Sequence, residues 1–160
     1  MNLEEYNKAV DDYSDRIYRF ILKSLGDEER AKDIVQDSYE KLWRNINDLE
    51  FPKVKAWLFS TSYNGMIDTI RKEKRMVHTD DFIPEEYSSG GYSDLNEVLH
   101  QCLEKLPENW KAPLLLRDYE GYSYAEISSI TGQTESQVKI NIYRGRMAMR
   151  KMIGKIALVV

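Results

Sequence analysis

Between residues 4 and 25 the positions Tyr6, Val10, Tyr13, Ile17, Phe20, Ile21 and Leu25 recur at spacings of three and four. That spacing predicts one amphipathic helix with a single buried face. Gly26-Asp27 predicts its end and a cap for a second helix over 28–46. There Ala31, Ile34, Val35, Ser38 and Leu42 face inward, and Asp33, Gln36, Asp37 and Glu40 line the outer side. Residues 47–52 read as a loop, with Pro52 suited to the first turn of a third helix that runs to about Arg75. Val54, Trp57, Leu58, Thr61 and Ile70 are its expected core positions. Periodicity fails from Met76 to Ser93, which holds Pro84 and Ser88-Ser89-Gly90-Gly91 and reads as a flexible linker. Helical spacing resumes from Asp94 through Leu95, Val98, Leu99, Cys102, Leu103 and Leu106. Pro107 opens another helix, which includes Leu114-Leu115-Leu116 and ends near Gly121. Pro113 inside it predicts a late start or a bend.

The last third carries the strongest local signals. Tyr122 to Gly132 reads as a short helix: Ser123 caps it, Glu126 completes a capping box, and Ala125, Ile127 and Ile130 supply apolar contacts. Gly132 supplies the turn, and Thr134 with Gln137 forms a second capping box. Val138, Ile142, Gly145, Met149 and Met152 then share one stripe of a long helix. Ser136, Lys139, Tyr143, Arg146 and Arg150 share another, widened by Arg144 and Lys151. From Thr134 to Lys155 there are six basic residues and one acid. Charge alone fits a solvated face equally well. Two short capped helices joined by a glycine turn, the second one basic, make a helix-turn-helix. Ile140 and Met147 stand among the basic residues, where an exposed apolar side chain suits a thymine methyl.

No strand-like alternation of useful length occurs, so the expected fold is all-α. It consists of two small helical domains, 1–75 and 94–160, joined by a flexible acidic linker, 76–93. The formal charge of −4 conceals an uneven layout. Residues 1–75 carry 14 basic and 15 acidic groups, residues 76–93 none and four, and residues 94–160 nine and eight. Basic groups cluster at Arg71–Arg75 and in the last helix, a layout that permits nucleic-acid contact but predicts weak, salt-sensitive binding by the chain alone. One cysteine, Cys102, excludes a disulfide framework and a thiolate metal site, in keeping with a reducing cytoplasm. The acidic N-terminus has no apolar run of a signal peptide, and no stretch reaches the length of a membrane span. The apolar tail Ile156 to Val160 is expected to pack.

With both halves in view, the chain resembles the extracytoplasmic-function sigma factors, the small two-domain branch of bacterial transcription initiation factors. DIVQDSYEKLW, Asp33 to Trp43, is similar to the family's polymerase-docking helix. KAWLFSTSYNGMIDTIRKEKR, Lys55 to Arg75, is similar to the helix that opens and reads the −10 element. LPENWKAPLLLRDYEGYSYAEI, Leu106 to Ile127, and VKINIYRGR, Val138 to Arg146, resemble the −35 binding domain. Each block is moderately specific; their joint order and spacing are highly specific.

The resemblance implies roles for particular residues. Asp33, Gln36, Asp37 and Glu40 would meet basic groups on the polymerase clamp. Asn64 matches the position that touches an extruded −10 base, and its amide can donate and accept at a base edge. Tyr63 stands where the family often has a basic residue, and its ring suits stacking on an unpaired base. Phe51 lies in the loop that matches the one holding the flipped base. Trp57 is mostly core, with a smaller share at the melted junction. Arg71, Lys72, Lys74 and Arg75 would hold phosphates, which position without specifying. In the second domain Arg117 and Arg144 match phosphate contacts, and Glu135, Ser136, Lys139, Ile140 and Arg146 are groove candidates, with Tyr143 on either side. Four positions depart from the pattern: Gln133 replaces a usually apolar turn residue, Ser128 a usual alanine, Asn141 a frequent arginine, and Pro113 interrupts a helix. These bear on base specificity rather than on the class.

The implied partners are core RNA polymerase, promoter DNA and an anti-sigma protein, which in this family is frequently membrane-tethered. The chain would be a monomer when free, would act in the cytoplasm, and would need no cofactor, metal or small-molecule substrate. It would not be an enzyme by itself. Two other readings compete: a dimeric helix-turn-helix regulator with a helical sensor domain, and a helical nuclease using Asp33 and Asp37. The two aspartates have no nearby histidine, and His78 and His100 have no nucleophile or metal pattern around them.

Overall fold

The computed structural model describes residues 1–76 and 95–159. The side chains of Arg75, Met76 and Asn96, and those of residues 156–159, lie outside the described set. So does the linker expected over 76–93, apart from the backbone of Met76. The described residues form α1 (Leu3–Leu25), α2 (Glu28–Arg44), a 3-10 turn (Phe51–Lys53), α3 (Val54–Met76), α4 (Leu95–Glu104), α5 (Glu108–Asp118), α6 (Tyr124–Thr131) and α7 (Glu135–Val159). No strand occurs among them.

The first three helices are built on local signals. Asn2 caps α1, accepting from the Glu5 N–H while the Glu5 carboxylate accepts from Asn2's own N–H. Gly26 closes α1 at φ 72°, where a β-carbon would be strained. Asp27 Oδ1 accepts from the N–H groups of Glu29 and Arg30, starting α2 one residue later. Such caps contribute about 1 kcal/mol each. α2 stops at Arg44, two residues short of the expected end, and the Asn45 side-chain amide donates to the Lys41 carbonyl at 2.8 Å beside its own N–H. Ile17, Phe20 and Ile21 of α1 are buried with Ala31 and Leu42 of α2 and Val54, Leu58, Phe59 and Met66 of α3. The Tyr39 hydroxyl ties α2 to α1 by donating to the Ala9 carbonyl at 3.0 Å.

In the second half α5 begins at Glu108 and runs unbroken through Pro113, so the late start expected from that proline does not occur. Pro113 has no N–H for the carbonyl of Asn109, four residues back. That carbonyl instead accepts from Gln133 Nε2 at 3.0 Å. α6 and α7 form the helix-turn-helix. Ser123 and Glu126 make the first capping box, Gly132 turns the chain at φ 77°, and Thr134 and Gln137 make the second box. Ile127 and Ile130 are buried as expected, whereas Ala125 is exposed on the outer side of α6.

The two halves pack on each other: α1 touches α4 and α5, and α3 touches α6. Phe59 and Tyr122 meet edge to face with ring centroids 5.2 Å apart. Lys111 of α5 is buried and donates to the Ser24 carbonyl of α1 at 2.9 Å. Arg16 pairs with Glu120 at 3.2 Å. Periodicity did not foresee this seam, because a lysine and a tyrosine that fold under a neighbouring module look polar in sequence.

Candidate nucleic-acid interface

Three surfaces carry the residues singled out from the sequence. On α2, Asp33, Gln36, Asp37 and Glu40 are all exposed, because the opposite face buries Ala31, Ile34, Ser38, Tyr39 and Leu42. The Ser38 hydroxyl is satisfied within the helix by the Ile34 carbonyl at 2.7 Å, so it needs no partner from outside. The outer face therefore presents carboxylates at spacings of three and four, free to accept from basic groups. Trp43 continues that face, 52% exposed, its ring 5.2 Å from that of Tyr6.

The second surface is α3 and the turn before it. Pro52 sits in the 3-10 turn, as its fixed φ favours, and holds Phe51 half-buried with Lys8 Nζ 5.5 Å above the ring. Asn64, Arg71, Lys72 and Lys74 are exposed, Trp57 is half-buried, and the Arg75 side chain lies outside the described residues. Tyr63 differs from these residues. It is 7% exposed and cannot stack on a base in this arrangement. The packed seam covers it: burial pushes its phenol pKa up, and nearby Glu108 of α5 pushes in the same direction.

The third surface is α7. Val138, Ile142 and Gly145 are buried, and Met149 and Met152 are half-buried. Gly145 matters for this packing, since a β-carbon there would lie 3.3 Å from Leu114 Cδ2 of α5. With that stripe fixed inward, Glu135, Ser136, Lys139, Ile140, Tyr143, Arg144, Arg146 and Met147 all face solvent. Ile140, Tyr143 and Met147 are exposed apolar side chains one turn apart, flanked by Lys139 and Arg144. Apolar contacts set between cations suit a groove that offers methyl groups between rows of phosphates.

Two of the predicted contacts are already engaged inside the protein. Arg146 forks onto the Asp118 carboxylate at 3.2 and 2.5 Å, which raises its pKa further and ties α7 to the end of α5. Arg117 donates to the Tyr122 carbonyl at 2.9 Å, and its guanidinium lies 4.6 Å from the Tyr124 ring centroid. Lys139 Nζ lies 5.4 Å from the same centroid. Sequence reading had not singled out Tyr124; its place at the first position of a capped helix, just before the basic helix, was the available signal. The ring gathers Arg117 and Lys139, from α5 and α7, into one positive patch.

Two family models match the chain. Residues 9–76 match the family model for sigma-70 region 2, and residues 96–149 match that for sigma-70 region 4. The chain is 31% identical to the RNA polymerase sigma factor SigV of Bacillus subtilis over 92% of this chain and 90% of that one. It is 29% identical to the ECF RNA polymerase sigma factor SigM of the same organism, over 89% and 91%. In fold it is similar to the sigma factor RpoE of Bartonella quintana, solved with the anti-sigma factor NepR. The TM-score is 0.79 at 22% identity, covering 95% of this chain and 98% of that one. It is also similar to CnrH, solved with the cytosolic domain of CnrY, with a TM-score of 0.70 at 20% identity over 96% and 90%.

Proposed function

The chain belongs to the extracytoplasmic-function branch of the sigma-70 family of RNA polymerase sigma factors, and from that premise we propose how its surfaces divide the work. A sigma factor binds core RNA polymerase and directs initiation at particular promoters. Residues 1–75 would dock on the polymerase and read melted −10 DNA, residues 94–160 would read −35 duplex, and residues 76–93 would tether the two. The exposed carboxylates of α2 meet basic groups on the polymerase. Asn64 reads an unpaired −10 base beside Phe51 and Trp57, while Arg71, Lys72, Lys74 and Arg75 hold the backbone. Tyr63 joins this set only once the seam between the two halves has opened.

At the −35 element α7 enters the major groove. Glu135, Ser136, Lys139, Ile140 and Tyr143 face the bases, and Arg117 and Arg144 face phosphates. Arg146 acts first as a brace to Asp118 and reaches DNA only from that tether. The observation that carries this reading is the α7 surface itself. Its inward stripe is sealed against α5 and α6, and what remains outside is a cationic face interleaved with Ile140, Tyr143 and Met147.

Sigma factors are specificity subunits and not normally enzymes, and this chain is proposed to do no covalent chemistry. Capturing an unstacked base costs a few kcal/mol, offset by stacking and hydrogen bonds in a fitted site. The chain acts in the cytoplasm, where the polymerase is, and is a monomer when free. An anti-sigma protein is its proposed regulator, by likeness to the sigma factor RpoE solved with the anti-sigma factor NepR. Among the described residues no helix is long and apolar enough to cross a membrane.

The test is permanganate reactivity of thymines on a promoter fragment. Unpaired thymines should appear near the start site only when this chain and core polymerase are both present. Reactivity with the chain alone, or none with both, would remove the melting role.

A further inference from the structure

Gln133 lies in the turn between α6 and α7, and its main-chain and side-chain groups are all engaged. Its N–H donates to Thr131 Oγ1 at 3.3 Å, and its carbonyl accepts from Ser128 Oγ at 2.6 Å. Its side-chain Nε2 donates to the Asn109 carbonyl at 3.0 Å, and its Oε1 accepts from Asn141 Nδ2 at 3.1 Å. The amide orientation is dictated by its partners, because the Asn109 carbonyl can only accept. That carbonyl is open to Gln133 because Pro113 supplies no helical N–H to it. Asn141, 7% exposed on the inner side of α7, is the last link. Of the four positions that depart from the family pattern, Pro113, Ser128 and Asn141 thus converge on the fourth, Gln133.

We infer that Gln133 is a positioning residue for base reading at the −35 element: it clamps the first turns of α7 to the start of α5 and sets the angle at which α7 enters the groove. The inference rests on the reading of α7 as the −35 helix. An apolar turn residue packs α6 against α7 without direction. An amide bonded on both sides fixes a direction as well, because hydrogen bonds weaken steeply off axis. Lys139, Ile140 and Tyr143 lie within one turn of Asn141, so a tilt at Asn141 moves all three relative to the base edges. Phosphate contacts tolerate such a tilt better than base contacts, which need matched donors and acceptors.

The experiment uses holoenzyme assembled from core polymerase and the full-length chain. The probe is a promoter mapped with the wild-type holoenzyme, together with single-base variants across its −35 and −10 elements. Gln133→Leu is compared with Asn141→Ala and with the double variant Pro113→Ala/Gln133→Leu. Gln133→Leu should lower discrimination between the promoter and its −35 variants roughly tenfold, the worth of one or two hydrogen bonds. Discrimination among −10 variants, the salt dependence and core binding should stay as in the wild type. Asn141→Ala should give the same loss. Restoring a backbone donor with Pro113→Ala should recover the melting temperature of Gln133→Leu but not its −35 discrimination. Recovery of both would overturn the inference, leaving Gln133 a merely stabilising role. Unchanged −35 discrimination in Gln133→Leu would also overturn it. A wild-type holoenzyme indifferent to every −35 substitution would instead overturn the reading of α7, and the inference with it.

Discussion

Lys111 Nζ, buried in α5, donates to the Ser24 carbonyl at the end of α1 at 2.9 Å and pairs with Glu108 at 3.1 Å. This places a desolvated ammonium between the half of the chain that matches sigma-70 region 2 and the half that matches region 4. Ser24 Oγ and Glu108 Oε2, on its two partners, and Tyr122 OH, on the ring that meets Phe59, are buried without a hydrogen-bond partner among the described residues. Each such group costs on the order of 1–3 kcal/mol. These costs offset part of what the seam's packing contributes.

Lys111→Met should loosen the seam, since it leaves the Ser24 carbonyl and the Glu108 carboxylate without their donor. The closed arrangement should lose about 1–3 kcal/mol. The radius of gyration of the free chain in solution scattering should rise while its helicity is retained. An unchanged radius would mean that Lys111 does not hold the halves together.

Asp37→Arg should lower core polymerase affinity by about 30-fold or more, the scale expected for reversing a charge in a matched interface. Asp37 is exposed on α2, so circular dichroism and thermal stability should hardly change. Undiminished capture of core by the variant would show that the acidic face of α2 is not the docking surface.

Lys139→Ala should weaken use of the −35 element and reduce the salt slope of holoenzyme binding by about one charge. Lys139 also shares the Tyr124 ring with Arg117. Tyr124→Leu should therefore produce a milder version of the same defect through the two cations. Measured promoter affinity against salt concentration checks both; parallel slopes for Lys139→Ala and wild type would remove Lys139 from the interface.

Burial raises the phenol pKa of Tyr39, Tyr63 and Tyr122 above the ordinary value of about 10. A group whose folded pKa exceeds its unfolded value contributes stability that is fully present below the unfolded pKa. That stability is lost as pH rises through the folded value. Helicity should thus hold steady up to about pH 9 and fall above about pH 10, together with phenolate absorbance. Tyr122→Phe removes a buried hydroxyl that has no partner among the described residues and should move the alkaline midpoint upward. A downward shift would mean that this hydroxyl is satisfied in solution.

The parts of this account that were legible in sequence are the ones set by neighbours within four residues. Both capping boxes of the helix-turn-helix, the Asp27 cap and the inward stripe of α7 are local spacings, and they stand where the spacing placed them. The Asn2–Glu5 box has the same form and went unread, hidden beside an acidic N-terminus. Residues paired across long separations were not legible. Lys111 and Ser24 are 87 positions apart, and Arg16 and Glu120 are 104 apart. Tyr63 looks available from its own helix and is buried in the fold, with Glu108 of the second half nearby. Gln133 and Asn141 were visible as departures from a pattern, but their bond to each other, and that of Gln133 to the Asn109 carbonyl, emerged only from the packing of α5 beside the turn.

The most direct test of the account is run-off transcription with purified core polymerase, with and without this chain, on genomic fragments whose start sites are then mapped. The account predicts start sites that appear only with the chain present and share two upstream elements. It also predicts that they vanish with Asp37→Arg. A start-site map identical to that of core polymerase alone would contradict it.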